Sequence, residues 1–238
     1  MTERKSALSY LGSIIFIFGI ILGILLSLVR ALPDLESTMY GFYKFGYPNL
    51  SSLSCPLLMT PSDQEDVTIK LKNNLDRPIT WHIEAQFSAD NLINTITNNE
   101  ELQPGESRVL SWEVNHNNIS LGNFIFARVY TSAAAAQERR EAYCGTLVIN
   151  LPFAGGPTVY YSSILVTAIC LGLGLWLWRR HTLLNEPTPI SQFLWMRFGA
   201  LLVVLGIVAG FMDWWSIAII LVVLIILTTV VFLIPRKI

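Results

Sequence analysis

Groups that hold metals or do acid–base work are scarce in this 238-residue chain, which has only three histidines and three cysteines. His82, His116 and His181 fall in a strand pattern, a turn and a charged loop, and none lies in a long apolar run, so paired intramembrane histidine ligation of haem is excluded for this chain alone. CxxC, HExxH and GxSxG are all missing. Gly155-Gly156 precedes a proline and an apolar run instead of joining a strand to a helix, so it reads as linker and not as a phosphate loop. Acidic neighbours such as Glu65-Asp66 and Glu100-Glu101 sit at turn-like positions, where solvated charge is the ordinary reading. The sequence therefore offers no catalytic residue, no cofactor, no metal site and no evident small-molecule substrate.

Charge is scarce as well. Charged side chains make up 14% of the chain and hydrophobic ones 53%, too apolar for an ordinary soluble domain. Four apolar runs account for the excess: residues 7–29, 159–178, 193–212 and 214–234. Each approaches or exceeds the roughly 20 helical residues that cross hydrocarbon. Ionisable groups inside these runs, which would mark an ion or proton pathway, are nearly absent. Arg197 is the exception, close enough to one end to snorkel and anchor at the interface.

What charge there is divides unevenly. Residues 31–157 hold 14 acidic and 8 basic side chains, and the remainder holds 3 acidic and 8 basic. The acidic block argues against nucleic-acid binding. Arg4 and Lys5, Arg179 and Arg180, and Arg236 and Lys237 lie where topology rules place positive charge if both termini are cytoplasmic; Arg30 opposes this pattern. The expected order is a cytoplasmic N-terminus (1–6), an uncleaved signal anchor (7–29), an aromatic juxtamembrane segment (30–52), an extracytoplasmic β-sandwich (53–152) and a linker (153–158). A second span (159–178), a cytoplasmic loop (179–192), two further spans (193–212 and 214–234) and a cytoplasmic C-terminus (235–238) complete it. Trp214 and Trp215 suit an interfacial anchor at the outer turn.

Within the middle block the hydrophobic period is two. Val67, Ile69 and Leu71 alternate with polar residues, as do Ile79, Trp81, Ile83, Ala85 and Phe87, and the turn-rich stretch 73–78 between them predicts a hairpin. Further strands are expected over 53–59, 92–97, 108–114, 124–130 and 146–151. The stretch 132–141, with its alanine run and Gln137-Glu138-Arg139-Arg140-Glu141, predicts a short helix or a projecting loop. In broad pattern, residues 53–152 resemble the immunoglobulin-like sandwich modules of cell surfaces, a resemblance that implies a fold and not a function.

Cys55 and Cys144, one in the first expected strand and one near the last, are expected to form a disulfide on the oxidising side of the membrane. By the chain-entropy estimate, so long a loop contributes up to about 4 kcal/mol. Asn49-Leu50-Ser51 and Asn118-Ile119-Ser120 match the glycosylation sequon. Tyr40, Phe42, Tyr43, Phe45 and Tyr47 crowd into eight residues, a candidate contact with lipid headgroups, with another subunit or with the domain's own surface.

Gly12, Gly19 and Gly23 repeat the spacing of Gly199, Gly206 and Gly210, which puts three small residues on one face of each helix and predicts close helix packing. These features favour a non-catalytic membrane protein, an accessory or scaffold subunit that meets membrane lipid and other membrane-protein subunits. The alternative is a surface sensor or adhesin for an external ligand.

Overall fold

The computed structural model describes residues 2–42, 46–90, 92–133, 138–151, 154–185, 190–212 and 214–233. The chain divides into two units, Met1–Ala31 with Val159–Ile238, and Leu32–Thr158.

The first unit is helical. It is built from α1 (Thr2–Met39), α2 (Gly156–Asn185), α3 (Ile190–Phe211) and α4 (Trp215–Leu233), the first two of which also extend into the second unit. Three stretches are long and apolar enough to cross a membrane, Tyr10–Met39, Gly156–Arg180 and Leu194–Phe211; α4 adds a shorter apolar stretch, Trp215–Val230. Two boundaries also move. Helix α1 runs on past residue 29 and through Pro33, because a single proline removes only one ladder donor and Leu35 and Glu36 resume good helix formers. Helix α2 absorbs part of the expected linker and part of the expected loop, since Arg179 and Arg180 are themselves strong helix formers. Phe16 and Ile20 of α1, Leu171 and Trp178 of α2, Met196, Leu202 and Val203 of α3 and Ile225 of α4 form the buried centre of this unit.

The second unit is mostly sheet. A five-stranded sheet has the order β1-β7-β6-β3-β4, and a two-stranded sheet pairs β2 with β5. The strands are β1 (Leu58–Met59), β2 (Glu65–Lys72), β3 (Ile79–Ala89), β4 (Leu92–Leu102), β5 (Ser107–Val114), β6 (Phe124–Ala133) and β7 (Glu138–Val148). Neighbours are antiparallel except β1, which runs parallel to β7. Alternation determines the packing: Val67, Ile69 and Leu71 with Trp112 and Val114 on the small sheet meet Trp81, Ile83, Ala85, Phe87, Ile125, Ala127 and Val129 on the large one in a common core. Cys55 and Cys144 are joined in a disulfide, and Cys170 on α2 is free.

The expected hairpin of the second and third strands does not form. β2 pairs with β5, whereas β3 pairs with β4 and β6. Alternation shows which residues face inward but not which strand lies alongside. The connection crosses between sheets around buried Asn73, whose Nδ2 donates to the carbonyls of Arg77 and Leu102 while its Oδ1 accepts the Leu75 N–H. Expected strand 53–59 shrinks to Leu58–Met59 and an isolated bridge from Ser54 to Thr68, because Pro56 has no N–H to give a ladder. Expected strand 92–97 extends to Leu102, and the expected strand 146–151 instead begins at Glu138. Glu138, Arg139 and Arg140 are accordingly strand and not helix, their propensity overridden by pairing with Ala133, Ser132 and Thr131; residues 134–137 lie outside the described residues.

Candidate functional site

The two edges of the large sheet are treated differently. Along β7 the exposed backbone is closed piece by piece. Glu141 donates its N–H to the Pro48 carbonyl at 3.1 Å and accepts the Leu50 N–H at 3.0 Å. Gly145 donates to Asp34 Oδ1 at 2.9 Å. Leu147 and Val148 pair with β1, and Ile149 donates to the Met59 carbonyl at 2.9 Å. Glycine is required at 145 because a Cβ there would strike the backbone carbonyl of Pro33.

At the opposite edge, β4 is eleven residues long and, among the described residues, has a strand on one side only. Leu92, Ile93 and Ile96 are 70%, 47% and 43% exposed. From residue 92 to 99 the strand has no charge, proline or glycine, the devices by which edge strands normally discourage pairing. Its first charges are Glu100 and Glu101, and Glu100 is held by Arg108 Nη1 of β5 at 2.6 Å.

The outer face of the same sheet carries a polar cleft of about 530 Å³ lined by Tyr47, Glu84, Gln86, Arg128 and Tyr130. The Tyr47 and Tyr130 rings lie 5.4 Å apart. Gln86 Nε2 donates to Glu84 Oε1 at 2.7 Å. Behind the cleft, Arg128 Nη2 lies 3.1 Å from Glu141 Oε2, and Glu141 is wholly buried. Its other oxygen, Oε1, accepts the Tyr47 N–H at 3.4 Å. A carboxylate so placed is tolerable only because a guanidinium and an N–H meet it.

The described aromatics of the juxtamembrane segment, Tyr40, Phe42 and Tyr47, pack within the domain. Phe42 is buried, its ring 6.3 Å from Phe126, and Tyr40 lies 5.0 Å from the same ring while its hydroxyl donates to the Leu92 carbonyl at 3.2 Å. Tyr47 walls the cleft, and Tyr43 and Phe45 lie outside the described residues.

The six helix glycines are contact points inside the helical unit, but they do not form one seam. A Cβ on Gly12 or Gly19 would come within 3.1 Å of Leu177 or Cys170 of α2. One on Gly23 would collide with Val203 of α3. On α3, Gly206 would meet Ser27 Oγ at 2.8 Å, Gly199 would meet Ile20 at 3.7 Å and Gly210 would meet Arg30 at 3.5 Å. The glycines of α1 thus meet two different helices, and Gly174 of α2, against Phe16, belongs to the same set although its spacing did not reveal it. Arg197 and Trp214 are exposed, whereas Trp215 packs on the buried alanines 31, 209 and 218.

Of the two sequons, Asn49 is exposed and bridges to Glu141, whereas Asn118 donates from Nδ2 to the Ser88 carbonyl at 3.2 Å and accepts the Asn115 N–H on Oδ1. Among the described residues no group of three or more His, Cys, Asp or Glu gathers as metal ligands would. Two acids sit below their usual range. Burial pushes Asp63 up, but the N–H groups of Gly156 and Thr60 and the Thr60 hydroxyl outweigh it and hold the carboxyl low. Glu106 is lowered by the Gln103 N–H and by Arg108, whose own value is raised by Glu106 and Glu100.

Sequence reasoning missed the bare β4 edge, the Arg128–Glu141 pair and the Asp34–Gly145 contact. The first had a readable signal in the uncharged run 92–99; the other two join residues far apart in the chain and had none.

No family model matches the chain, and no curated protein matches it. Among solved structures, a β-glucuronidase of Bacteroides uniformis is similar at 12% identity and a TM-score of 0.31 over 37% of this chain and 12% of that one. A superoxide reductase (neelaredoxin) variant of Ignicoccus hospitalis is similar at 12% identity and a TM-score of 0.31 over 44% of this chain and 83% of that one. This chain therefore spans about an eighth of the glucuronidase, and likenesses of this size carry no argument about its activity.

Proposed function

We propose that this chain is a non-catalytic integral membrane protein whose sheet domain is a protein-contact module, acting as an accessory or scaffold subunit of a larger membrane assembly. The observation that carries this reading is the contrast between the two sheet edges. One is sealed by three separate chain segments, while the other is long, uncharged over eight residues and open. Addition of a strand to such an edge is a recurrent mode of recognition, with backbone hydrogen bonds supplying affinity and alternate side chains supplying selectivity.

The domain stands on the extracytoplasmic side in this reading, with both termini cytoplasmic. The placement of basic residues and a disulfide, which persists in oxidising compartments, support that topology. Two sheets of order β1-β7-β6-β3-β4 and β2-β5 around one core support an immunoglobulin-like sandwich, although the disulfide ties the segment before β1 to the last strand and not one sheet to the other at the centre.

Purification in mild detergent tests the reading. The wild-type chain is expected to run as an assembly larger than one chain, and Thr95→Pro, which removes a donor at the open edge, is expected to shrink it. A wild-type monomer with no other chain attached overturns the proposal.

The polar cleft favours a second reading, a surface sensor or adhesin. Paired tyrosine rings beside a carboxylate, an amide and a guanidinium suit a polar external ligand. Native mass spectrometry is then expected to find a small-molecule adduct that Tyr130→Ala removes.

A further inference from the structure

We infer that the partner at the open edge is a second copy of this chain, joined by antiparallel pairing of β4 with β4 about a two-fold axis through Ile96. This rests on the contact-module reading and names its partner.

Backbone parity decides which groups are free. The N–H groups of Glu141 and Gly145 on β7, and of Ile149 just past its end, point away from β6. The antiparallel registers carry that parity through β6 and β3, so that the even-numbered residues of β4 bond to β3. The N–H and C=O groups of Ile93, Thr95, Thr97 and Asn99 therefore face outward.

The sequence around this edge reads Asn94-Thr95-Ile96-Thr97-Asn98, the same in both directions. An antiparallel pair centred on Ile96 sets Thr95 opposite Thr97 in hydrogen-bonded pairs, Ile96 opposite itself and Asn94 opposite Asn98. Threonine pairs and matched apolar residues are favourable cross-strand neighbours. Centring the axis one residue either way sets Ile96 against an asparagine and loses the match. Charge agrees: antiparallel pairing puts the Glu100-Glu101 ends of the two copies apart, whereas parallel pairing stacks four carboxylates. A contact of this kind is isologous, closes at two copies and converts two five-stranded sheets into one of ten.

Cross-linking tests the axis in full-length protein carrying Cys170→Ala, which removes the free thiol. Under mild oxidation in the membrane, Ile96→Cys is expected to give a reducible species at twice the 26.7 kDa chain mass. Leu92→Cys on the same strand is expected to give none, because its opposite neighbour is Glu100. Light scattering in mild detergent is expected to show a dimer for the wild-type chain and at least a tenfold weaker one for Ile96→Lys. Unchanged protection of Cys55 and Cys144 from thiol reagents reports that each variant is folded. Failure of Ile96→Cys to cross-link, or equal cross-linking of Leu92→Cys, overturns the proposal. An Ile96→Cys adduct to a chain of different mass also overturns it while leaving the contact-module reading in place.

Discussion

Asp34 Oδ1 accepts the backbone N–H of Gly145 at 2.9 Å across 111 residues of sequence. A side chain from the end of a helix thereby takes the place of a neighbouring strand at one position of β7. Both residues are buried or against buried surface, so the N–H has no solvent to fall back on.

Asp34→Ala is expected to destabilise the sheet domain by about 1–3 kcal/mol, the usual cost of a buried donor left unsatisfied. Gly145→Ala is expected to cost a similar amount by a different route, because its methyl group meets the Pro33 carbonyl. Urea unfolding followed by tryptophan fluorescence measures both, and Asp34→Asn, which keeps an acceptor oxygen, should lose less than Asp34→Ala.

Arg128 and Glu141 form a pair with side-chain exposures of 12% and 1%. Truncating the arginine alone strands a buried carboxylate, so Arg128→Ala is expected to lose about 3 kcal/mol or more, and the double change Arg128→Met with Glu141→Leu is expected to recover much of it. A double-mutant cycle in urea gives the coupling directly. Near-additive losses would show that the two side chains do not depend on each other.

Asp63 Oδ2 accepts N–H groups from Thr60 and from Gly156, the first residue of α2, both at 2.8 Å. Its folded pKa lies below its ordinary value of 3.8. The sign follows: a carboxyl depressed in the folded state adds stability above its unfolded pKa, and that stability is lost as pH falls through the unfolded value toward the folded one. Unfolding measured between pH 7 and pH 3 is therefore expected to show a steeper acid loss in the wild-type chain than in Asp63→Asn. The variant should be weaker at neutral pH by about 1 kcal/mol, the scale of a helix cap.

Among the helix glycines, Gly23 has the least room, since a Cβ there would collide with Val203, and Gly172 has the most, with nothing within 4 Å of its would-be Cβ. Gly23→Leu is expected to cut the yield of folded protein severalfold, with overpacking of the kind that costs about 1–3 kcal/mol. Gly172→Leu should express as the wild-type chain does. Fluorescence-detected size exclusion of tagged variants separates the two, and equal profiles would remove the packing role of Gly23.

Much of this architecture was legible from period alone. Val67, Ile69 and Leu71, and the series from Ile79 to Phe87, face the core as their alternation requires. The long apolar runs became helices for the same reason of composition. Neighbour choice was not legible. The short 73–78 connection suits a hairpin, yet Asn73 satisfies two carbonyls in a crossing between sheets, a role visible only once Leu102 is beside it. Glu138 to Arg140 carry helix formers into a strand because pairing with β6 outweighs a few tenths of a kcal/mol per residue. The glycine repeats marked small-residue contacts, but not that Gly19 and Gly23 meet different helices.

The disulfide links Cys55 to Cys144 across 89 residues, and Asp34 waits even longer for Gly145. During synthesis the early segments emerge first and must remain unmatched until the seventh strand has been made. Translation order thus makes β7 the keystone. A chain interrupted before residue 138 lacks the element on which the Asp34, Pro48 and Leu58 segments all converge, and quality control would meet it as an unfinished domain with its cysteine still reduced.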